Sequence, residues 1–172
     1  MIATGIGYDV HRLVMDRPLI LGGVRMEYPL GLEGHSDADV LCHAIADALL
    51  GAAGEPDIGH MFPNTDPAIR GISSLEILRR VRGRLDELGV AIHNVDSTLV
   101  AEEPKISPHL AAMKSNVGTA LGLDPRQVGI KATTNESLGF LGRGEGIAAL
   151  ATACVERPPA FYAPAKNPGS KS

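Results

Sequence analysis

Hydrophobic and polar positions change rhythm several times along the chain, and each change predicts an element. Residues 2–11 read as a first strand whose alternate side chains face opposite sides, so Asp9 and His11 share one face while Tyr8 and Val10 share the other. Two short apolar runs, Leu19-Ile20-Leu21 and Val24-Arg25-Met26, meet at Gly22-Gly23 and predict a hairpin within residues 18–28. Residues 31–34 read as a flexible approach to a helix with Ser36 or Asp37 as its N-cap. In that helix Val40, Leu41, Ala44, Ile45, Ala48 and Leu49 recur at helical spacing and form one apolar stripe ending near residue 53.

Residues 54–71, with Pro56, Pro63 and Pro67, form a long irregular stretch, the kind of loop that in a compact domain is functional or mobile. Ser73-Ser74-Leu75-Glu76 has capping-box spacing and opens a second helix that Gly89 ends, with a solvated face of Arg79, Arg80, Arg82, Arg84, Asp86 and Glu87. A strand over 90–101 is broken at Glu102-Glu103-Pro104-Lys105, and Ser107-Pro108 starts a third helix that stops at Gly122. Residues 128–134 form a further strand. The glycine-punctuated stretch 138–146 leads into a last strand over 147–155, apolar enough to be buried on both faces or to line a subunit interface. Strands mixed with helices and at least one hairpin predict an α/β (α+β) fold: a single-domain sandwich of a mixed sheet with helices on one side. The domain is expected over 1–156, and the proline-rich residues 157–172 are expected to be a disordered tail.

Composition narrows the function classes. With 172 residues the chain is large enough for one real core, and no apolar run is long enough to span a bilayer. Aromatics make up 3% and Trp is absent, and the net charge is −4, so neither a base-stacking platform nor a phosphate-backbone binder is expected. Cys42 and Cys154 read as small buried residues rather than a secreted disulfide framework. Strand-like sequence from Ile2 leaves no room for a targeting peptide, so a cytoplasmic location is expected.

The candidate chemistry sits in the first strand and helix. Asp9 and His11, two residues apart on one strand face, make half a metal site, and His43 from the neighbouring helix supplies a third ligand. Two nitrogens and one oxygen suit Zn²⁺ and leave a fourth position open. His43 lies off the apolar stripe between Asp39 and Asp47, each one turn away, and Asp47 is expected to take the second N–H of its imidazole. The bland reading of Asp9-Val10-His11 is ordinary polar surface. That of His35 is a surface residue preceding a cap, and that of Glu136 is a turn carboxylate. His60, His93 and His109 read as ordinary polar residues.

An ordered set of motifs covers the chain from Ile2 to Glu156. It comprises Gly7-Tyr8-Asp9-Val10-His11, His35-Ser36-Asp37, Asp47-Ala48-Leu49-Leu50-Gly51-Ala52, Asp57-Ile58-Gly59 and Phe62-Pro63-Asn64-Thr65-Asp66. It continues with Asn94-Val95-Asp96, Pro104-Lys105, Lys131-Ala132-Thr133-Thr134 and Gly142-Arg143-Gly144-Glu145-Gly146. In these the sequence resembles the 2-C-methyl-D-erythritol 2,4-cyclodiphosphate synthase family of the non-mevalonate isoprenoid pathway. The resemblance implies a bacterial homotrimer with active sites between adjacent subunits, turning 4-diphosphocytidyl-2-C-methyl-D-erythritol 2-phosphate into the cyclodiphosphate and CMP. It implies zinc on Asp9, His11 and His43, with Mg²⁺ or Mn²⁺ held by Glu136 against the diphosphate. It implies that His35 and Thr134 steady the transferring phosphates.

By the same resemblance Asp9-Val10-His11, His35, Ser36, Asp57, Ile58, Gly59, Phe62, Pro63, Asn64, Thr65 and Asp66 form the erythritol-phosphate side. Ala101, Glu102, Glu103, Pro104, Lys105, Ile106 and Ser107, with Thr133, Thr134, Asn135 and Glu136, form the cytidine side, supplied by the neighbouring subunit. Phe140 and Arg143 match further substrate positions, and Arg143 with Glu145 matches the trimer axis, where an isoprenoid diphosphate is a candidate ligand. Asn135 stands where a threonine is common in the family, and Glu102-Glu103 are more acidic than its usual residues. Two rival functions stand beside this one: a zinc-dependent phosphoesterase that activates water, and a non-catalytic trimer binding an isoprenoid diphosphate.

Overall fold

Two glycines set how closely the first strand and the first helix approach. The computed structural model describes residues 1–63 and 69–162, and β1 (Ile2–Val14) lies directly beneath α1 (Val40–Ala53). A Cβ on Gly5 would collide with the Ala48 carbonyl oxygen, and one on Gly7 with that of Ala44. Only hydrogen fits there, which brings the helix backbone down onto the strand and His43 within reach of Asp9 and His11.

The remaining strands are β2 (Leu19–Leu21), β3 (Val24–Met26), β4 (Gly31–Leu32), β5 (Ala91–Val100), β6 (Val128–Thr133) and β7 (Gly146–Glu156). The main sheet has the order β4-β1-β7-β5-β6, antiparallel throughout except for the parallel β5–β6 pair, and β2–β3 is the separate hairpin expected at Gly22-Gly23. This is the mixed sheet anticipated above. After α2 (Ile58–Met61), α3 (Ser74–Glu87) packs on α1, and α4 (Leu110–Leu121) packs on α3 and β6. Leu41, Ile45, Leu49, Leu78, Leu85, Leu99, Met113 and Leu121 fill the layer between sheet and helices and are fully buried. A short turn, α5 (Gly139–Gly142), precedes β7.

The opposite face of the sheet stays open along β1: Ile2, Ile6, Tyr8 and Val10 are exposed, and Leu150 of the central strand β7 joins them. β7 is therefore buried on one face within a single chain. No helix among the described residues is long and apolar enough to cross a membrane.

Several boundaries differ from expectation for physical reasons. The N-cap of α1 is Asp39, whose carboxylate accepts the Cys42 N–H, rather than Ser36 or Asp37. Ala38 at φ 56° turns the chain before the helix, and the two earlier side chains are committed elsewhere. Ser73 caps nothing with its side chain; Asp37 Oδ2 accepts the Ser74 N–H instead, so the start of α3 is capped from a distant segment. Residues 31–34 are not a free approach, because Gly31 and Leu32 pair with Val14 and Leu13. The irregular stretch contains α2, capped by Asp57, while the expectations for Asn64, Thr65 and Asp66 fall outside the described residues. Beyond Glu156 the described residues continue to Tyr162. The Arg157 N–H donates to Met1 O, its side chain donates to Ala52 O, and a helical turn spans Pro159–Tyr162. Cys42 and Cys154 are free thiols.

Candidate metal centre

The period-2 alternation of β1 turns Asp9 and His11 toward α1, and α1 brings His43, only 7% exposed, down between them. Asp9 Oδ2 lies 3.0 Å from both His11 Nε2 and His43 Nδ1, and the two nitrogens are 3.3 Å apart. Ligands around a tetrahedral ion at about 2.0–2.1 Å stand about 3.3 Å from one another, so this triangle is close to one face of such a coordination sphere.

Hydrogen bonds behind each ring turn its lone pair toward the triangle. His11 Nδ1 is 2.6 Å from Glu33 O, and a carbonyl only accepts, so Nδ1 carries the proton and Nε2 is free to ligate. His43 Nε2 lies 3.0 Å from Ser74 Oγ and 3.2 Å from Ser36 Oγ. The Ser74 hydroxyl donates to the Asp37 carboxylate, so its oxygen accepts from Nε2–H and leaves Nδ1 as the ligand. Burial pushes the Asp9 carboxyl up, but hydrogen bonds and charge from His11 and His43 outweigh it and hold the group well below the usual carboxylate range. Burial likewise pulls His11 down, and the Asp9 carboxylate more than reverses that, leaving the imidazole above its ordinary value. The three ligand atoms lie close enough together to hold a cation.

Asp47 does not hold His43, contrary to expectation. Its Oδ1 accepts the Ile58 N–H at 2.9 Å, anchoring the turn that carries Asp57, Ile58 and Gly59, while Ser74 and Ser36 take the ring nitrogen. Ser74 went unrecognised because it lies 31 residues from His43 and its surroundings read as a helix start.

The triad opens into a cavity of about 230 Å³ that also collects His35, Ser36, Ile58, Gly59 and Phe62 from the expected set. Its remaining wall is apolar, from Ile69, Ile72 and Ile77, which no sequence signal singled out. Asp57 points instead to His60, whose hydrogen bonds hold its carboxyl below the usual range. Val10 projects from the opposite face of β1, as alternation requires, and Pro63 is exposed.

The second expected cluster is built separately. Thr134 Oγ1 donates to Glu136 Oε1 at 2.8 Å, and Glu136 takes φ 50° in the turn after β6. Glu102 Oε1 accepts the N–H groups of Asn135 and Ser137 at 2.9 and 3.2 Å, so this acidic departure holds the turn rather than facing outward. Ala101 and Ile106 are buried, whereas Glu103, Lys105 and Ser107 are exposed around them. Phe140 is exposed, and Arg143 pairs with Glu145 at 2.6 Å. The register Val10–Ala148–Val100–Thr133 puts two strands between the halves. Three interstrand steps of about 4.8 Å separate them by ~14 Å within one chain.

A sequence profile of the YgbB family matches residues 2–156. The chain belongs to the YgbB family. It is 61% identical over 160 residues to the 2-C-methyl-D-erythritol 2,4-cyclodiphosphate synthase of Akkermansia muciniphila, covering 92% of this chain and 95% of that protein. Among solved structures, the bifunctional IspDF from Campylobacter jejuni superposes with a TM-score of 0.88 at 42% identity, over 92% of this chain but only 43% of that one. A 2C-methyl-D-erythritol-2,4-cyclodiphosphate synthase in a CDP-bound form superposes with a TM-score of 0.82 at 34% identity, over 89% of this chain and 99% of that one.

Proposed function

We propose that this chain closes 4-diphosphocytidyl-2-C-methyl-D-erythritol 2-phosphate into 2-C-methyl-D-erythritol 2,4-cyclodiphosphate and releases CMP. The observation that carries the reading is the triangle of Asp9 Oδ2, His11 Nε2 and His43 Nδ1, with both rings turned so that their lone pairs face one point at the edge of a cavity. Residues 1–156 are the synthase domain, in a cytoplasmic enzyme acting on a water-soluble diphosphate. Zinc suits the N₂O donor set, and Mg²⁺ or Mn²⁺ suits a lone carboxylate such as Glu136 completed by phosphate oxygens. Bound there, such ions would supply charge neutralisation and alignment for two anionic partners.

The chain's own residues do the rest. The 2-phosphate oxygen forms a bond to the β-phosphorus, the bond from that phosphorus to the bridging oxygen breaks, and CMP leaves with that oxygen. The nucleophile is already an anion, so no residue need remove a proton, and positioning carries the rate. His35 and Ser36 donate hydrogen bonds to the methylerythritol phosphate, and Ile58, Gly59 and Phe62, which line the cavity, enclose the carbon skeleton. Thr134 steadies the diphosphate beside Glu136, with Ala101–Ser107, Thr133 and Asn135 on the cytidine and Phe140 and Arg143 at its margin. Each donor aimed at developing charge contributes about 3 kcal/mol.

The ~14 Å between the halves supports a homotrimer in which the neighbour supplies Thr134 and Glu136. The exposed Ile6 (71%), Tyr8 (53%) and Leu150 (42%) form an apolar face of the kind that closes on other copies. An isoprenoid diphosphate would then meet this face and Arg143 along the trimer axis. The CMP-release assay tests the reading. Metal-replete protein given the diphosphocytidyl substrate yields CMP and a cyclic product by mass spectrometry. A linear, water-added product would instead establish the phosphoesterase, and neither product would remove both.

A further inference from the structure

We propose that Arg17, on the turn between β1 and β2, is a positioning residue for the reaction, its guanidinium fork fixing the loop that presents His35 and Ser36. The inference rests on the function proposed above for those two residues. Arg17 Nη1 donates to Gly34 O and Nη2 donates to Ser36 O, each at 2.7 Å, so the fork spans His35 and grips the carbonyls on either side of it. The His35 carbonyl is taken in turn by the Gly71 N–H at 2.8 Å. Three consecutive carbonyls are therefore held from two different segments, while the His35 side chain remains exposed.

The loop needs such a hold. It runs into Ala38 at φ 56°, a conformation that favours glycine, and its Ser36 Oγ must at once accept the Ala38 N–H and stand beside His43 Nε2. The third nitrogen of the guanidinium, Nε, is buried with no acceptor for its N–H among the described residues. The side chain's orientation is thus set by the two loop carbonyls rather than by satisfying all of its own donors. A lysine at this position reaches one carbonyl as a point charge and cannot reproduce the planar fork.

Arg17→Met and Arg17→Lys test the proposal beside the wild type, with metal content, thermal unfolding, amide hydrogen exchange, kcat and KM measured on each full chain. In Arg17→Met the Gly71 and Ala38 amides exchange about tenfold faster while that of Leu49 in α1 does not change. Metal stays at wild-type stoichiometry, and kcat falls about 10²-fold with a much smaller change in KM. Arg17→Lys recovers part of the loss. Unchanged exchange at Gly71 and Ala38, an unchanged kcat, or a loss of kcat seen only together with lost metal or fold overturns it. A wild type that releases no CMP refutes the functional reading alone, and the exchange data then still decide whether Arg17 holds the loop.

Discussion

Ser74 decides the chemistry of His43 although it never touches the cavity point. Its hydroxyl passes the Asp37 carboxylate's pull to His43 Nε2 and so fixes which nitrogen faces Asp9. Ser74→Ala should weaken zinc binding about 10–100-fold in a chelator-competition titration, whereas Asp47→Asn should leave it unchanged. The reverse pattern would restore the carboxylate-to-imidazole contact expected from helical spacing. That expectation failed for a definable reason. Spacing of one turn puts Asp47 beside His43, but the Ile58 N–H, from a loop no helical wheel can place, captures its carboxylate. Asp9, His11 and His43 were legible because two periodicities, of strand and helix, suffice to converge them. Ser74, Glu33 and Arg17 act across tertiary contacts and carry no local signature.

At the scale of elements, function depends on how closely α1 seats on β1. Gly7→Ala drives a methyl group into the Ala44 carbonyl, and because the obstacle is backbone the helix must lift. A loss of at least about 1–3 kcal/mol in denaturant unfolding is expected, with metal stoichiometry falling alongside. Wild-type stability and full metal content would show that the helix has slack. The turn after β6 depends likewise on Glu102, which accepts two of its N–H groups. Glu102→Ala passes those donors to water and loosens the turn by about 0.5–1.5 kcal/mol per bond. It should reduce turnover while zinc remains bound, measured by CMP release and metal analysis on one sample. Strands, hairpin and helices were readable from periodicity and glycine punctuation. The N-caps of α1 and α3 were not, because Asp39 took the place expected of Ser36 or Asp37 and Asp37 reached across to cap α3.

The whole molecule presents two separate polar clusters on one sheet, the triad at β1 and the Thr134–Glu136 turn after β6, and an exposed apolar face. If the proposed trimer closes on that face, Leu150→Lys within it should shift the protein from trimer toward monomer in sedimentation velocity, with turnover lost and the metal retained. A trimer that survives would locate the interface elsewhere. Chain pattern alone pointed to an interface at β7 only as one of two alternatives, since a strand buried on both faces reads the same. In the structure Leu150 stays exposed, so within one chain β7 is not covered on both faces.

The most direct measurement mixes two inactive proteins. His43→Ala lacks the metal-binding half, and Glu136→Ala lacks the other. Unfolded together, refolded with metal and assayed for CMP, the mixture should recover about a quarter of the wild-type rate, since each site draws one intact half from each of two neighbours. Activity no higher than that of either parent alone would mean that both halves come from one chain, and would contradict the account.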